Sequence, residues 1–372
     1  MLNNLIEKLK KVKDQRKNKG KRYPLWFILL IIILTIMQGN LGYREIENFA
    51  RINQKELSHI VKLKREVTPS YSTIRRVVMG VDWSNLIEIF NEWASEIYPH
   101  QEELDELAID GKSLRSTLKD YGGQSQNFVM IVSLFSQRTG CVLKMKKLEN
   151  KKESEISQAQ CIVRDCQFKG KVITFDALHC NQKTAALVIE SGNDYIMALK
   201  KNQKKLYEQA QAITQTEKPL SIDINQDVSH GRKITRKVSV YRVNNILHQG
   251  WKHLKVVIQI ERSGWRGSKP YTEKVYYVSS AMNEAEIFAR RIRGHWGIEN
   301  QYHWVKDVIF QEDKRRISQF QAATNFSILI TIVINLFRSW GFLSIKEGQR
   351  WLADHWYKIF FLPDLSASKS LR

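Results

Sequence analysis

A chain of 372 residues, 43% of them hydrophobic, is long enough to bury a large core and suggests two or three domains. Its formal net charge of +21 points to a polyanionic partner, nucleic acid ahead of an acidic membrane surface, because counterion release rewards each phosphate neutralised. Four cysteines, Cys141, Cys161, Cys166 and Cys180, show neither a CxxC pair nor zinc spacing, so a reducing cytosol without a structural disulfide is expected.

Residues 1-23 carry nine Lys or Arg against two acids, which fits either a mobile basic arm or the polar face of a first helix. Used as an arm it would touch phosphates; otherwise it is a solubilising tail. The apolar run 25-37 has thirteen residues, too few to span a bilayer that needs about 20 in a helix. No small-residue cleavage site follows it, so a buried core helix is expected rather than an export signal. The run 326-336 has the same character. Between them, REIENFARIN, QKELSHIVKL and STIRRVVMG read as short helices, the last capped by Ser70 or Ser72 and offering Arg75 and Arg76 outward. That arrangement is similar, weakly, to a helix-turn-helix DNA reader.

The composition changes after an acidic linker at 101-105. Strands are expected at ELAIDG, 128-136 and 141-148, then a helix at ESEISQAQCIVRDC, a strand at 171-177, a helix at QKTAALVIES and a strand at 194-200. Three strands followed by helix, strand, helix and strand predict a mixed sheet with helices on both faces. Residues 201-283 alternate in short segments and read as a β-rich insertion. Its Arg232, Arg236, Lys237, Trp251, Arg262, Trp265 and Arg266 suit DNA handling, with a tryptophan stacking on a base or simply packing.

Three acids stand out. Asp110 and Asp176 each close a strand beside a turn, and Gly111 lets a backbone or a phosphate come close. Taken singly, the first is an ordinary turn residue and the second a helix N-cap. In the helical segment 284-316, spacing puts Ile292, His295, Glu299, Tyr302, His303 and Lys306 along one side. Pattern alone would make that a solvated amphipathic face. Three carboxylates in one pocket repel unless cations neutralise them, and hard oxygen ligands select Mg²⁺ or Mn²⁺. Two such ions activate a water or 3′-hydroxyl and stabilise the leaving oxygen of a phosphodiester. The bases around Glu299 would hold the other phosphates.

The stretches GKRYPLWFIL (20-29), PSYSTIRRV (69-77), AIDGKSLR (108-115), TFDALHCNQKTA (174-185), DYIMALKKNQ (194-203), HGRKITR (230-236) and RGHWGIENQYHWVKDVIFQED (293-313) carry a resemblance that covers nearly the whole chain. It resembles the DDE insertion-sequence transposases, specifically the H-repeat-associated group. The resemblance implies an α/β fold: an RNase H-like mixed sheet flanked by helices, with a β-rich insertion and an N-terminal helical domain. The expected boundaries are 1-100 for the helical, DNA-binding part, 101-200 for the first catalytic part, 201-283 for the insertion and 284-372 for the catalytic remainder. It further implies that Asp110, Asp176 and Glu299 hold two Mg²⁺ or Mn²⁺ ions and cleave and join DNA. Arg75, Arg76, Lys112, Arg293, His295 and Lys306 are the expected DNA contacts. Cut-and-paste relatives usually place Tyr and Arg seven and four residues before the Glu and Lys seven after it; here those positions are Ile292, His295 and Lys306, so only the lysine matches. Ile234 stands where the group commonly has Glu.

The partners implied are the element's terminal repeats and target DNA, no membrane, and a homodimer when DNA is bound, in the cytoplasm at the nucleoid. The alternatives are a relative that binds DNA without cutting, and a metal-dependent nuclease without strand joining.

Overall fold

The computed structural model describes residues 1-63, 66-97, 106-119, 127-149, 152-229, 232-243, 250-266, 269-315, 317-353 and 355-361. The expected acidic linker at 101-105 lies outside them, as do the side chains of Arg232 and Arg266.

The RNase H-like α/β arrangement is present. β1 (Glu106–Lys119), β2 (Asn127–Ser136) and β3 (Val142–Glu149) form an antiparallel meander, and β4 (Val172–Phe175) and β5 (Asp194–Leu199) run parallel to β1 on its other side. All four residues of β4 are buried, as a parallel strand covered on both faces requires. The crossovers are α7 (Glu155–Arg164) and α8 (Gln182–Glu190), started by Ser154 and Asn181, whose side chains accept from Ser157 N and Thr184 N.

The segment expected as an insertion is not a separate layer. After α9 (Lys204–Thr216) come β6 (Ser221–Ser229), β7 (Arg232–Arg242), β8 (Val256–Arg266) and β9 (Lys269–Ser279), and β9 pairs antiparallel with β5. One nine-stranded sheet results, in the order β3-β2-β1-β4-β5-β9-β8-β7-β6. Nor is the segment uniformly polar: Val238, Val240, Ile258 and Trp251 are buried, so Trp251 is a packing residue, while Trp265 is exposed.

The N-terminal helices are α1 (Leu2–Lys10), α2 (Leu25–Met37), α3 (Tyr43–Ile52), α4 (Gln54–Ile60), α5 (Tyr71–Gly80) and α6 (Trp83–Ile97). The basic N-terminus is therefore helical at first: Leu2, Leu5, Ile6 and Leu9 face inward, and Lys8 pairs with Glu92 at 2.6 Å and with Glu96. These helices do not close a core alone. They share one with a face of the meander and with α11 (Phe320–Ser339), so the expected boundary near residue 100 separates no core. Twelve of the thirteen α2 residues are buried, each large aliphatic contributing about 1.5–3 kcal/mol. α11 is long and apolar enough to cross a membrane, yet 89% of its most apolar window is buried inside the protein. Its Asn335 clamps Val142 of edge strand β3, accepting from N at 2.9 Å and donating to O at 2.8 Å. Asn91 of α6 does the same to Met145, at 2.9 and 3.1 Å, so the free edge of β3 is capped by side chains.

After β9, α10 (Ala285–His295) leads into two π-helical turns, Glu299–His303 and Val305–Ile309. The chain ends in α12 (Ile345–Ala353) and a short 3-10 turn at Trp356–Phe360.

Candidate active site

β1 and β4 are paired in parallel as far as Ile109 opposite Phe175, so Asp110 and Asp176 stand side by side where that pairing ends. Asp176 follows the last residue of β4, but β1 runs on through Asp110 and Gly111 to Lys119, so Asp110 lies within its strand and does not close it beside a turn as expected. The helical segment after α10 crosses this end of the sheet. Asp110, Asp176 and Glu299 consequently line one cavity of about 430 Å³, together with His295, Lys200 and Arg262. Among the described residues no group of three or more potential ligands is already drawn in to metal-binding distance.

Each acid is held differently. Asp176 caps the 3-10 turn Ala177–His179, its Oδ1 accepting from Leu178 N at 3.0 Å and His179 N at 3.3 Å. The N-cap and pocket roles thus coexist in one carboxylate, the cap using a single oxygen. Glu299 is exposed at the start of the first π turn. Asp110 is the constrained one: burial, then the nearby Glu155 and Asp176 carboxylates, push its carboxyl up to about 7. His303 Nδ1 lies 3.5 Å from Asp110 Oδ2, but burial and the neighbouring Lys112 and Lys306 charges hold that imidazole down at about 3, so the contact is no ion pair.

A mutually repelling carboxylate pair, with a third carboxylate on the same cavity, is a donor set of hard oxygens that a divalent cation would relieve. Asp110, Asp176 and Glu299 therefore fit Mg²⁺ or Mn²⁺.

Two residues near the acids escaped the sequence reading. Glu155, at the first turn of α7, approaches Gly111 so closely that a Cβ there would sit 2.6 Å from its carboxyl carbon. The missing side chain thus makes room for an acid. Glu155 Oε1 is 3.2 Å from Nε2 of the fully buried His179, which is itself 3.9 Å from Asp176 Oδ1. Glu155 and His179 brace the loop that carries Asp176. The DALH stretch contained His179, but only the fold brings α7 beside it.

The expected phosphate contacts divide. Arg75 and Arg76 are exposed on α5. Arg293 is exposed, pairs with Asp227 at 3.1 Å, and lines a neighbouring cavity rather than the one with the acids. His295 does line the acids' cavity, yet burial holds it down at about 4 and its Nδ1 is 2.8 Å from Thr174 Oγ1, so it offers a dipole and not a charge.

Lys112 and Lys306 are corrections. Lys112 is buried and paired with Asp307 at 2.6 Å and Asp313 at 3.7 Å. Lys306 is 1% exposed, 3.3 Å from Glu312, and bonded to the Ser327 hydroxyl. Burial opposes its charge, but the Glu312 carboxylate and the Tyr302 hydroxyl together outweigh it and hold its pKa above the ordinary lysine value. The physical reason for the misplacement is the π turn: Trp304 N donates to Glu299 O, five residues back, which takes later residues off the 3.6-residue face. The cations that do line the acids' cavity are Lys200 and Arg262, from β5's end and from β8.

The family described as Transposase DDE domain matches residues 101–336, and the DDE_Tnp_1-associated family matches residues 6–94. Putative transposase YncI of Escherichia coli O157:H7 is 30% identical over 354 residues, covering 91% of this chain and 88% of the relative. H repeat-associated putative transposase YhhI of Escherichia coli K12 is 30% identical over 347 residues, covering 90% of each. Among solved structures, the piggyBac transposase synaptic complex with hairpin DNA aligns with 10% identity and a TM-score of 0.46, over all of this chain and 80% of the other.

Proposed function

The chain belongs to the transposase DDE family, and from that premise we propose that it binds the ends of its own insertion element and catalyses metal-dependent cleavage and strand transfer there. The observation that carries this is the convergence of Asp110, Asp176 and Glu299 on one cavity from β1, β4 and the π-helical segment. In this reading the three carboxylates would hold two divalent ions, which would supply Lewis-acid stabilisation of charge on the phosphodiester. The chain's own residues do the rest. Asp176 stays fixed by its backbone cap, Glu155 and His179 brace that loop, and Lys200 and Arg262 face the non-reacting phosphates. The attacking oxygen is a water for cleavage and the freed 3′-hydroxyl for joining. DNA is the partner, with two copies of the chain assembling on two ends, in the cytoplasm at the nucleoid.

The test is an assay with labelled element ends and a target plasmid in Mg²⁺ or Mn²⁺. Cleaved ends joined to plasmid support the proposal. Cleavage without joining would make the protein a nuclease, and end binding without cleavage an inactive relative. Asp110→Asn keeps the side chain's size and removes its charge. It should lower cleavage by about 10²–10³-fold, the scale of losing one element of electrostatic stabilisation, while end binding survives.

A further inference from the structure

A second cavity, of about 550 Å³, opens among the N-terminal helices, and Arg16, Lys19, Arg22, Arg51 and Arg76 line it against a single acid, Glu47. Three segments contribute: the link before α2, the last turn of α3, and α5. Among the described residues, Lys19, Arg22, Arg51 and Arg76 are exposed and make no ion pair. Arg16 is built in more firmly. Its Nε and Nη2 donate to Asp14 at 2.9 and 2.8 Å, and Nη2 also donates to Tyr23 O at 2.7 Å. Its Nη1 is buried with no hydrogen-bond partner. A guanidinium clamped on two nitrogens and vacant on the third is oriented for an acceptor that the protein does not supply.

The rest of the lining suits a phosphate. The Ser70 side chain caps no backbone N–H of α5; its Oγ lies 3.0 Å from Ser72 Oγ and 3.2 Å from Thr73 Oγ1, and Ser70 and Thr73 line the cavity beside the cations. The ten-residue helix that follows adds its positive N-terminal end. Convergent like charges cost free energy unless an anion joins them, and a duplex is the polyanion the proposed function provides.

We infer that this cavity binds a backbone phosphodiester of duplex DNA, a positioning contact separate from the acids' cavity and blind to base sequence. It rests on the DNA-directed reading above. Arg76 takes part, while Arg75, its neighbour on α5, does not line the cavity.

The test is fluorescence anisotropy of labelled duplex with the full chain at several KCl concentrations. It compares wild type, Arg22→Gln/Arg51→Gln, Lys19→Glu, and Lys204→Gln as a control on an exposed α9 lysine. Each lost phosphate contact lowers the slope of log affinity against log salt by about 0.9, so the double variant should lose about 1.8. Lys19→Glu should weaken binding with a shallower slope, and Lys204→Gln should match wild type. Thermal melts matching wild type assign the loss to the cavity. Wild-type affinity and slope in the double variant and in Lys19→Glu would overturn the inference alone, as would an equal loss in Lys204→Gln. Absence of duplex binding by the wild type would overturn the DNA-directed reading and this inference with it.

Discussion

Charge is treated in opposite ways on the two sides of Glu299. Beyond it, Lys306 meets Glu312, and Lys112 meets Asp307 and Asp313, so both buried lysines have their counter-charge within the fold. Around Asp110, carboxylates meet carboxylates: Glu155 and Asp176 press on an acid already half removed from water. An interior closes its charges where they only hold shape, because an unpaired buried ion costs several kcal/mol. Where it leaves like charges together, the missing partner comes from outside. The contrast supports the proposed ligand side of the molecule without reference to any relative.

The largest test of that contrast removes a closed charge. Lys306→Gln should destabilise the protein by about 3–5 kcal/mol in urea unfolding, because it removes the paired lysine from the buried Glu312 carboxylate. Lys306→Met with Glu312→Leu should recover much of the loss. A Lys306→Gln protein of normal stability that joined DNA slowly would instead restore a phosphate-binding role.

The next test removes an open charge and should have the opposite sign. Asp110 titrates near 3.8 unfolded and near 7 folded. Between those values the unfolded chain has released a proton that the folded chain still holds, so folding stability from this group falls as pH rises from 4 to 7 and is level above 7. Relative to wild type, Asp110→Asn should gain on the order of 3 kcal/mol between pH 4 and pH 8 in metal-free buffer. His295 and His303, held neutral, lose stability as pH falls below about 6.5, but they are common to both proteins and largely cancel in the difference. Added Mg²⁺ should then raise the wild-type melting temperature and leave that of Asp110→Asn nearly unmoved. A parallel rise in both would separate the cation from these carboxylates.

A smaller effect is expected from Glu155→Gln, which removes the first of the two charges pressing on Asp110. The Asp110 carboxyl resonance should titrate at lower pH than in wild type, with the fold intact. An unchanged midpoint would leave burial and the Asp176 carboxylate as the causes. The smallest effect belongs to the surface: Arg293→Ala should change stability by less than about 1 kcal/mol, because its pair with Asp227 is solvated. Any change in DNA binding by that variant is then free of folding.

Much of this was legible in the chain. The period-2 runs and the fully apolar VITF placed the strands β1 to β5 in order, and Asp176 does follow the end of β4, whereas β1 continues past Asp110, where Gly111 suggests a turn. The apolar runs 25-37 and 326-336 read as core because each is too short for a span, and α2 and α11 are indeed buried. What stayed hidden depends on contacts that no local pattern marks. A hydrogen bond to the fifth residue back leaves composition untouched, so Lys306 kept its signature spacing and lost its direction. The pairing of β5 with β9 joins segments some 80 residues apart, and makes the β-rich segment an extension of the same sheet, which its pattern did not show. Glu155 reads as a helix-starting acid until Gly111 gives it a place beside Asp110.

The helix α11 has a consequence for how the protein is made. It packs against α2, α5 and α6, yet it is synthesised only after residue 319, so the N-terminal helices emerge from the ribosome long before the surface that covers them. Their apolar faces must wait, shielded by chaperones or by one another, until nearly the whole polypeptide exists. Expression of residues 1-319 should accordingly give insoluble material, and a soluble fragment that binds duplex DNA would contradict this. A gene copy whose frame breaks before Phe320 would then leave behind a substrate for proteases, and not a truncated competitor occupying the element's ends.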